Sequence, residues 1–223
     1  MTAPSPGETP SGSPASSGAE TRQRLLVAAT RAFAEHGVTN ASLLDITRQA
    51  GQRNRGAVHY HFGSREGLVA AVLEQHASFL AERELALLAL AQERPGDLGA
   101  AVEAAARPTT ELAEASSSGR HYVQIVAELV AEERTDIHPD IRGALERTGG
   151  YAVFEEIRAR IPAMPEHLLD ERLALMTSFL LRAISDRARA MDREQPGRAQ
   201  MATDDFVDNL VRMSVAMLSA PLD

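Results

Sequence analysis

The chain contains no cysteine, no tryptophan and no lysine among its 223 residues. Without cysteine there is no disulfide framework and no thiolate metal site. A chain of this length can bury a sizeable apolar core, as one large domain or two small ones. Aromatic residues make up only 4% of it, so no aromatic cluster names a ligand. No apolar run is long and clean enough to cross a bilayer. The N-terminus also lacks the charged and apolar pattern of a secretory signal, and a cytoplasmic location is expected. All 23 basic residues are arginine, which reads as the usage of a high-GC genome and says nothing of function.

Catalytic signatures are missing too. No phosphate loop, nucleophile elbow or zinc-protease motif is present. The closest histidine pair, His59 and His61, would stand on different faces of a helix and cannot chelate one ion. Glu132-Glu133 and Glu155-Glu156 read as solvated faces. Neither an enzyme, a cofactor nor a metal is expected.

What the chain does have is helical periodicity from end to end, with no sustained alternation and few β-branched runs. The expected fold is all-α. Residues 1–19 are rich in Pro, Ser, Gly and Ala and are expected to be disordered. Helices are expected over about 21–36 and 65–94, the latter broken by Pro95-Gly96. A short alanine-rich helix should end near Arg107-Pro108, and Ser116–Gly119 should be a mobile link. Further helices are expected over 121–134 and 140–161 (disturbed at Gly149-Gly150), then 166–191 and 203–218.

Residues 42–62 carry the most specific signal. Ser42 opens a helix whose apolar face is Leu43, Ile46 and Ala50. Gly51 closes it, because a glycine just past the last turn adopts a left-handed conformation without penalty. Gln52-Arg53-Asn54 turns the chain, and Asn54 is a good N-cap for a very short helix over 55–62. Helix, glycine-containing turn, helix is the pattern whose second helix enters a major groove. Gly56 and Ala57 leave little side chain at the start of that helix, where unpaired N–H groups and the dipole favour anions. Arg53, Arg55 and Arg65 surround it, and Tyr60 and His61 add further donors. That mixture suits phosphate anchoring plus a few base-edge contacts.

These residues resemble a family. Leu25-Leu26, Ala28-Ala29, Phe33 and Gly37, then Asp45–Gly51, Val58–Phe62 and Gly63–Leu68, are similar to the first four helices of the TetR family of transcriptional regulators. The resemblance covers about a fifth of the chain. It implies a ligand-responsive homodimer that represses transcription, with an N-terminal three-helix helix-turn-helix domain (20–66) and a helical ligand-binding and dimerisation domain (67–223). It also implies that Ser42 contacts phosphate and that Asn54 replaces the usual serine. Arg55, Gly56 and Ala57 would face base edges, with Tyr60 and His61 reaching bases or backbone. Arg65 falls where a phosphate-binding lysine is usual, and His59 where a phosphate-contacting tyrosine is common.

Charge distribution agrees. Seven arginines against Glu20, Glu35, Asp45 and Glu66 leave residues 20–68 at +3, inside a chain whose net charge is −8. Such asymmetry is the footprint expected when one end meets phosphate. The expected partners are double-stranded operator DNA, a small-molecule effector and a second copy of the chain. The rival reading is a soluble all-α small-molecule-binding protein without sequence-specific DNA activity.

The last two helices are apolar on more than one face. Leu169, Leu173, Met176 and Leu180 form one stripe, and Phe206, Leu210, Met213 and Met217 another. A helix apolar all round is buried all round, and a twofold four-helix bundle would cover the extra face. Candidate pocket residues are His76, Phe79, Arg83, Tyr122, Glu128, Phe154, Met176 and Phe179, with Gln124 and Tyr151 on the same helices. They would surround a central cavity.

Overall fold

The computed structural model describes residues 14–131, 137–193, 197 and 199–222, with side chains from residue 18 onward. Ten α-helices and no strand occur among them: α1 (Pro14–His36), α2 (Leu43–Gln49), α3 (Ala57–Phe62), α4 (Arg65–Gln92), α5 (Leu98–Ala115), α6 (Ser117–Ala131), α7 (Pro139–Glu146), α8 (Gly150–Arg160), α9 (Glu166–Met191) and α10 (Thr203–Leu218). The expected all-α class is therefore correct.

The N-terminal head packs α1, α2 and α3 against the start of α4. Leu25, Ala29 and Phe33 of α1 meet Ile46 of α2, Val58 of α3, and Leu68 and Val69 of α4 in one buried cluster. The 28 residues of α4 extend roughly 40 Å from this head along the rest of the molecule. Its end is held by Arg160, whose Nη2 donates to the Ala91 carbonyl at 2.8 Å and whose Nη1 donates to the Asp97 carbonyl at 2.8 Å. Those contacts tie the end of α4 and the N-cap residue of α5 to the last turn of α8.

In the C-terminal part α5 is central, packing against α4, α6, α8, α9 and α10. It runs through Pro108, where the sequence suggested an end. A proline inside a helix removes one hydrogen bond, at about 3 kcal/mol or more. Burial of a whole face, including Ala101, Val102, Ala104, Ala106 and Leu112, outweighs that loss, since tertiary packing supplies most helical stability.

Three other expectations change. α1 begins at Pro14, so residues 14–19 are helical, while residues 1–13 lie outside the described part. Ser117–Gly119 belong to α6, because the Ser116 hydroxyl accepts from Gly119 N–H at 3.0 Å and starts the helix there. The end expected near 134 falls outside the described residues. The disturbance at Gly149-Gly150 is a full break between α7 and α8.

The stripes of the terminal helices are buried, but chiefly inside one protomer. Leu173, Met176, Leu180, Phe206 and Leu210 are all part of the intrachain core, where α9 packs on α6, α5 and α10. As a bare interface these five are a correction to the sequence reading: neighbouring helices of the same chain already cover them. Leu169 is half-buried against that core and Met217 is half-buried. Outward-facing apolar residues are Leu175, 52% exposed, and Met213, 47% exposed. No helix among the described residues is long and apolar enough to cross a membrane.

Candidate nucleic-acid interface

Local chemistry sets the two helices of the motif. The Ser42 hydroxyl accepts from Asp45 N–H at 3.3 Å and caps α2, as expected of a serine at this position. Gly51 has φ +71° and donates its N–H to the Arg48 carbonyl at 2.9 Å, ending the helix. A side chain there would meet the steric penalty of the left-handed region.

The turn differs from the sequence expectation. Asn54 Oδ1 accepts from Gly56 N–H at 2.9 Å, an Asx turn, and α3 begins only at Ala57 with Gly56 as the N-cap residue. Asn54 therefore caps the turn rather than the helix, and Arg55 and Gly56 lie before α3. Ala57 and Val58 are buried beneath it, so Ala57 is not available to a base edge. The outer face carries His59 and Tyr60, the latter 83% exposed, and His61 is half-buried with its ring edge-on to Tyr60 at 4.9 Å.

Arg53 and Arg55 are exposed and make no ion pair or side-chain hydrogen bond with any described residue. Most other arginines are engaged: Arg48 pairs with Asp45 at 3.2 Å, Arg31 with Glu35 at 2.7 Å, and Arg22 stacks over the Phe62 ring at 4.9 Å. Unpaired guanidinium groups beside an exposed tyrosine form a surface ready for phosphate.

Arg65 does something else. Its Nη1 donates to the carbonyls of Val38 and Ala41, both at 2.8 Å, which ties the start of α4 to the turn after α1. Half-buried Arg65 thus has a structural role through Nη1, with Nε and Nη2 outside these two bonds. Val38 is gripped from its other side as well, because its N–H donates to Glu128 Oε1 of α6 at 2.8 Å. Glu128 is thus a joint between head and core.

The remaining pocket candidates scatter. Arg83 is locked in a two-pronged pair with Glu111 of α5, at 2.7 and 2.9 Å. Phe79 faces outward and is 39% exposed. His76 bonds Ser118 Oγ at 3.0 Å and meets the Tyr122 ring edge-on at 5.4 Å, and burial lowers its pKa. Tyr122 and Gln124 are buried, Tyr151 is exposed and Phe179 is half-buried. None of these seven lines the apolar cavity of about 170 Å³ found between α4, α5, α8 and α9. Phe154 and Met176 do line it, together with Val153, Ile157, Leu180 and one carboxylate, Glu84.

Glu84 escaped the sequence reading, although a signal was present. It occupies the buried stripe of α4 between Leu80 and Leu88, at spacings of four residues. The helix break opposite it is built around the same side chain: a Cβ at Gly149 would lie 2.9 Å from Glu84 Cβ. Burial pushes the Glu84 carboxyl up to about 7, against the opposing pull of the Gly149 N–H. Burial, with the Glu84 charge adding to it, likewise raises the Tyr122 hydroxyl.

Comparison with known proteins places this geometry. The pattern of bacterial regulatory proteins of the tetR family matches residues 25–72, and that of the tetracyclin repressor-like C-terminal domain matches residues 103–217, more than half the chain. The HTH-type transcriptional repressor AcnR of Corynebacterium glutamicum is 39% identical over 61 residues, 27% of this chain and 32% of that protein. The chain thus matches about a third of the length of such curated relatives. NalD, the secondary repressor of the MexAB-OprM multidrug efflux pump in Pseudomonas aeruginosa, superposes with a TM-score of 0.53 at 22% identity, covering 93% of this chain and 100% of that one. AibR, solved in complex with isovaleryl coenzyme A and operator DNA, superposes with a TM-score of 0.52 at 15% identity, covering 91% and 100%. Head, capped helix-turn-helix and helical C-terminal part all agree, and the chain belongs to the tetR family of bacterial regulatory proteins.

Proposed function

We propose that this protein is a ligand-responsive homodimeric repressor that acts in the cytoplasm on double-stranded operator DNA. The observation that carries this reading is the surface of the α2–turn–α3 unit, where unpaired Arg53 and Arg55 flank exposed His59 and Tyr60. Residues 20–66 form the reading head and residues 67–223 the effector-binding and dimerisation part. In the groove, α3 presents Tyr60 and His59, Arg55 reaches a base edge, and Arg53, the Ser42 hydroxyl and the free amide of Asn54 anchor phosphates. Gly56 lets the backbone approach closely, and His61 steadies Tyr60.

Arg55→Ala should weaken operator binding by about 1–3 kcal/mol and relax preference at one base pair. Arg53→Ala should weaken operator and random DNA alike and flatten the salt dependence by roughly one unit. Fluorescence anisotropy with operator and scrambled duplexes at several salt concentrations checks both. Unchanged affinity in both variants would remove this surface from the groove, and no preference of the unaltered protein for operator over scrambled duplex would favour a small-molecule-binding protein without sequence-specific DNA activity.

Dimerisation is assigned to the outer faces of α9 and α10, with Leu175 and Met213 at their centre and Leu169, Phe179 and Met217 at the margin. Leu175→Glu should convert the dimer to a folded monomer, because Leu175 contributes little to the intrachain core at 52% exposure. Sedimentation velocity together with circular dichroism tests this. A dimer that survives Leu175→Glu and Met213→Glu together would place the interface elsewhere.

The switch runs through α4, which starts at the head and passes the cavity at Glu84. A ligand held between α4, α5, α8 and α9 favours one seating of α4 and shifts the population of head spacings. Glu128 on Val38 and Arg65 on Val38 and Ala41 carry that seating into the head.

A further inference from the structure

The cavity between α4, α5, α8 and α9 holds one charged group and no counter-charge. Glu84 is 6% exposed, and its Oε2 is buried without a hydrogen-bond partner among the described residues. The surrounding wall is hydrocarbon: Val153, Phe154, Ile157, Met176 and Leu180. A carboxylate in such a place is costly unless it is paired. No arginine lines the space.

The other polar groups at the wall are two threonines, and both hydroxyl protons are already engaged. Thr109 Oγ1 donates to the Ala105 carbonyl at 3.2 Å, and Thr177 Oγ1 donates to the Leu173 carbonyl at 2.8 Å. With Glu84 ionised, as it is above neutral pH, the side-chain groups left for a guest are therefore acceptors: one carboxylate oxygen and two hydroxyl oxygens. An ammonium group carries three donors and no acceptor, the complement of that set. A carboxylate or phosphate guest would face Glu84 with no side-chain donor to hold it.

Size narrows the class further. At about 170 Å³ the cavity falls below the range of drug-sized pockets, roughly 300–1,000 Å³. It is close to the engineered apolar cavity of about 150 Å³ that takes up benzene. One ring, or a branched chain of similar bulk, fills it with a short arm left to reach Glu84.

We propose that this cavity is a site for a small lipophilic monoamine, its ammonium seated on Glu84 and its hydrocarbon body packed against α8 and α9. This deepens the functional reading above and rests on it only for the consequence at the operator. Binding itself is independent of DNA. The same contact places the ligand charge on α4, the helix that begins at the head.

Calorimetric titration of the full chain at pH 8 with benzylamine, benzyl alcohol and toluene tests the assignment. Benzylamine is expected to bind at least tenfold more tightly than benzyl alcohol, which matches its shape without the charge. Glu84→Gln should remove that preference, leaving the two within about twofold of each other. Ala105→Leu, which fills the cavity and keeps Glu84, should abolish binding of all three. Equal affinity for amine and alcohol in the unaltered protein, a preference that survives Glu84→Gln, or failure of benzylamine to bind the folded protein would each overturn the proposal. Operator affinity is then measured with saturating benzylamine. Binding that leaves operator affinity unchanged would uphold the amine site and remove its role as the effector site.

Discussion

Replacing Arg187 by alanine is expected to lower folding stability by about 3–5 kcal/mol, the range for breaking a buried ion pair from one side. The guanidinium lies only 8% exposed against Glu114 of α5, with Nε and Nη2 donating to the same carboxylate oxygen at 3.0 and 2.6 Å. Its third arm, Nη1, donates to the Met201 carbonyl at 2.9 Å just before α10. The Thr203 hydroxyl completes the cluster by donating to Glu114 Oε2 at 2.6 Å, and the guanidinium sits over the Phe206 ring at 4.6 Å. One side chain on α9 therefore pins α5 and the entry to α10. Alanine would leave a carboxylate with a single hydroxyl partner and a carbonyl with none. Urea denaturation measures the effect. Arg187→Leu combined with Glu114→Leu should recover most of the loss, since removing both partners leaves no orphaned charge. A loss below 1 kcal/mol for Arg187→Ala would show that the cluster is solvated in practice. Because α9 and α10 also carry the proposed dimer face, the same variant should weaken operator binding through assembly.

Local chemistry was readable from the sequence; pairings across the chain were not. The Ser42 cap, the Gly51 stop, and the bounds of α9 and α10 follow from short-range rules, and the structure has them where those rules put them. The start of α3 was misread by two residues because Asn54 can close a turn as readily as it caps a helix. Arg65 stands where the resemblance places a phosphate-binding lysine, and no short-range rule finds its carbonyl partners, Val38 and Ala41, which lie 27 and 24 residues away. Periodicity predicts buried stripes on α9 and α10, and Leu173, Met176, Leu180, Phe206 and Leu210 are buried while Met213 is exposed, but periodicity does not say which helices do the burying. Here α5 and α6 of the same chain cover most of it. Pro108 misled for a related reason: the burial that overrides it is tertiary. Glu84 was legible in principle, as a carboxylate in register with Leu80 and Leu88 and followed much later by a glycine pair.

Glu84 also gives a stability signature that a surface glutamate would not. Its carboxyl is raised to about 7 in the folded protein and returns to roughly 4.3 in the unfolded chain. Below about pH 4 both states hold the proton, and Glu84 contributes no pH dependence. As pH rises from there to 7, the unfolded chain ionises first and stability falls. Well above 7 both states are ionised, and the full penalty of burying the charge, about 4 kcal/mol, is in place. Glu84→Gln removes this titration while keeping the side-chain shape. The variant is therefore expected to gain about 3 kcal/mol over the unaltered protein on going from pH 4 to pH 8. Urea denaturation of both proteins at each pH isolates the difference, because every other titrating group is shared. A gap between the two proteins that stays constant across that range would mean Glu84 does not titrate in the folded state, so that its charge is already solvated or paired. A gap that opens with pH and closes when benzylamine is added at pH 8 would tie the penalty to the missing counter-charge, since a ligand that binds only the folded state restores the stability that the bare carboxylate withholds.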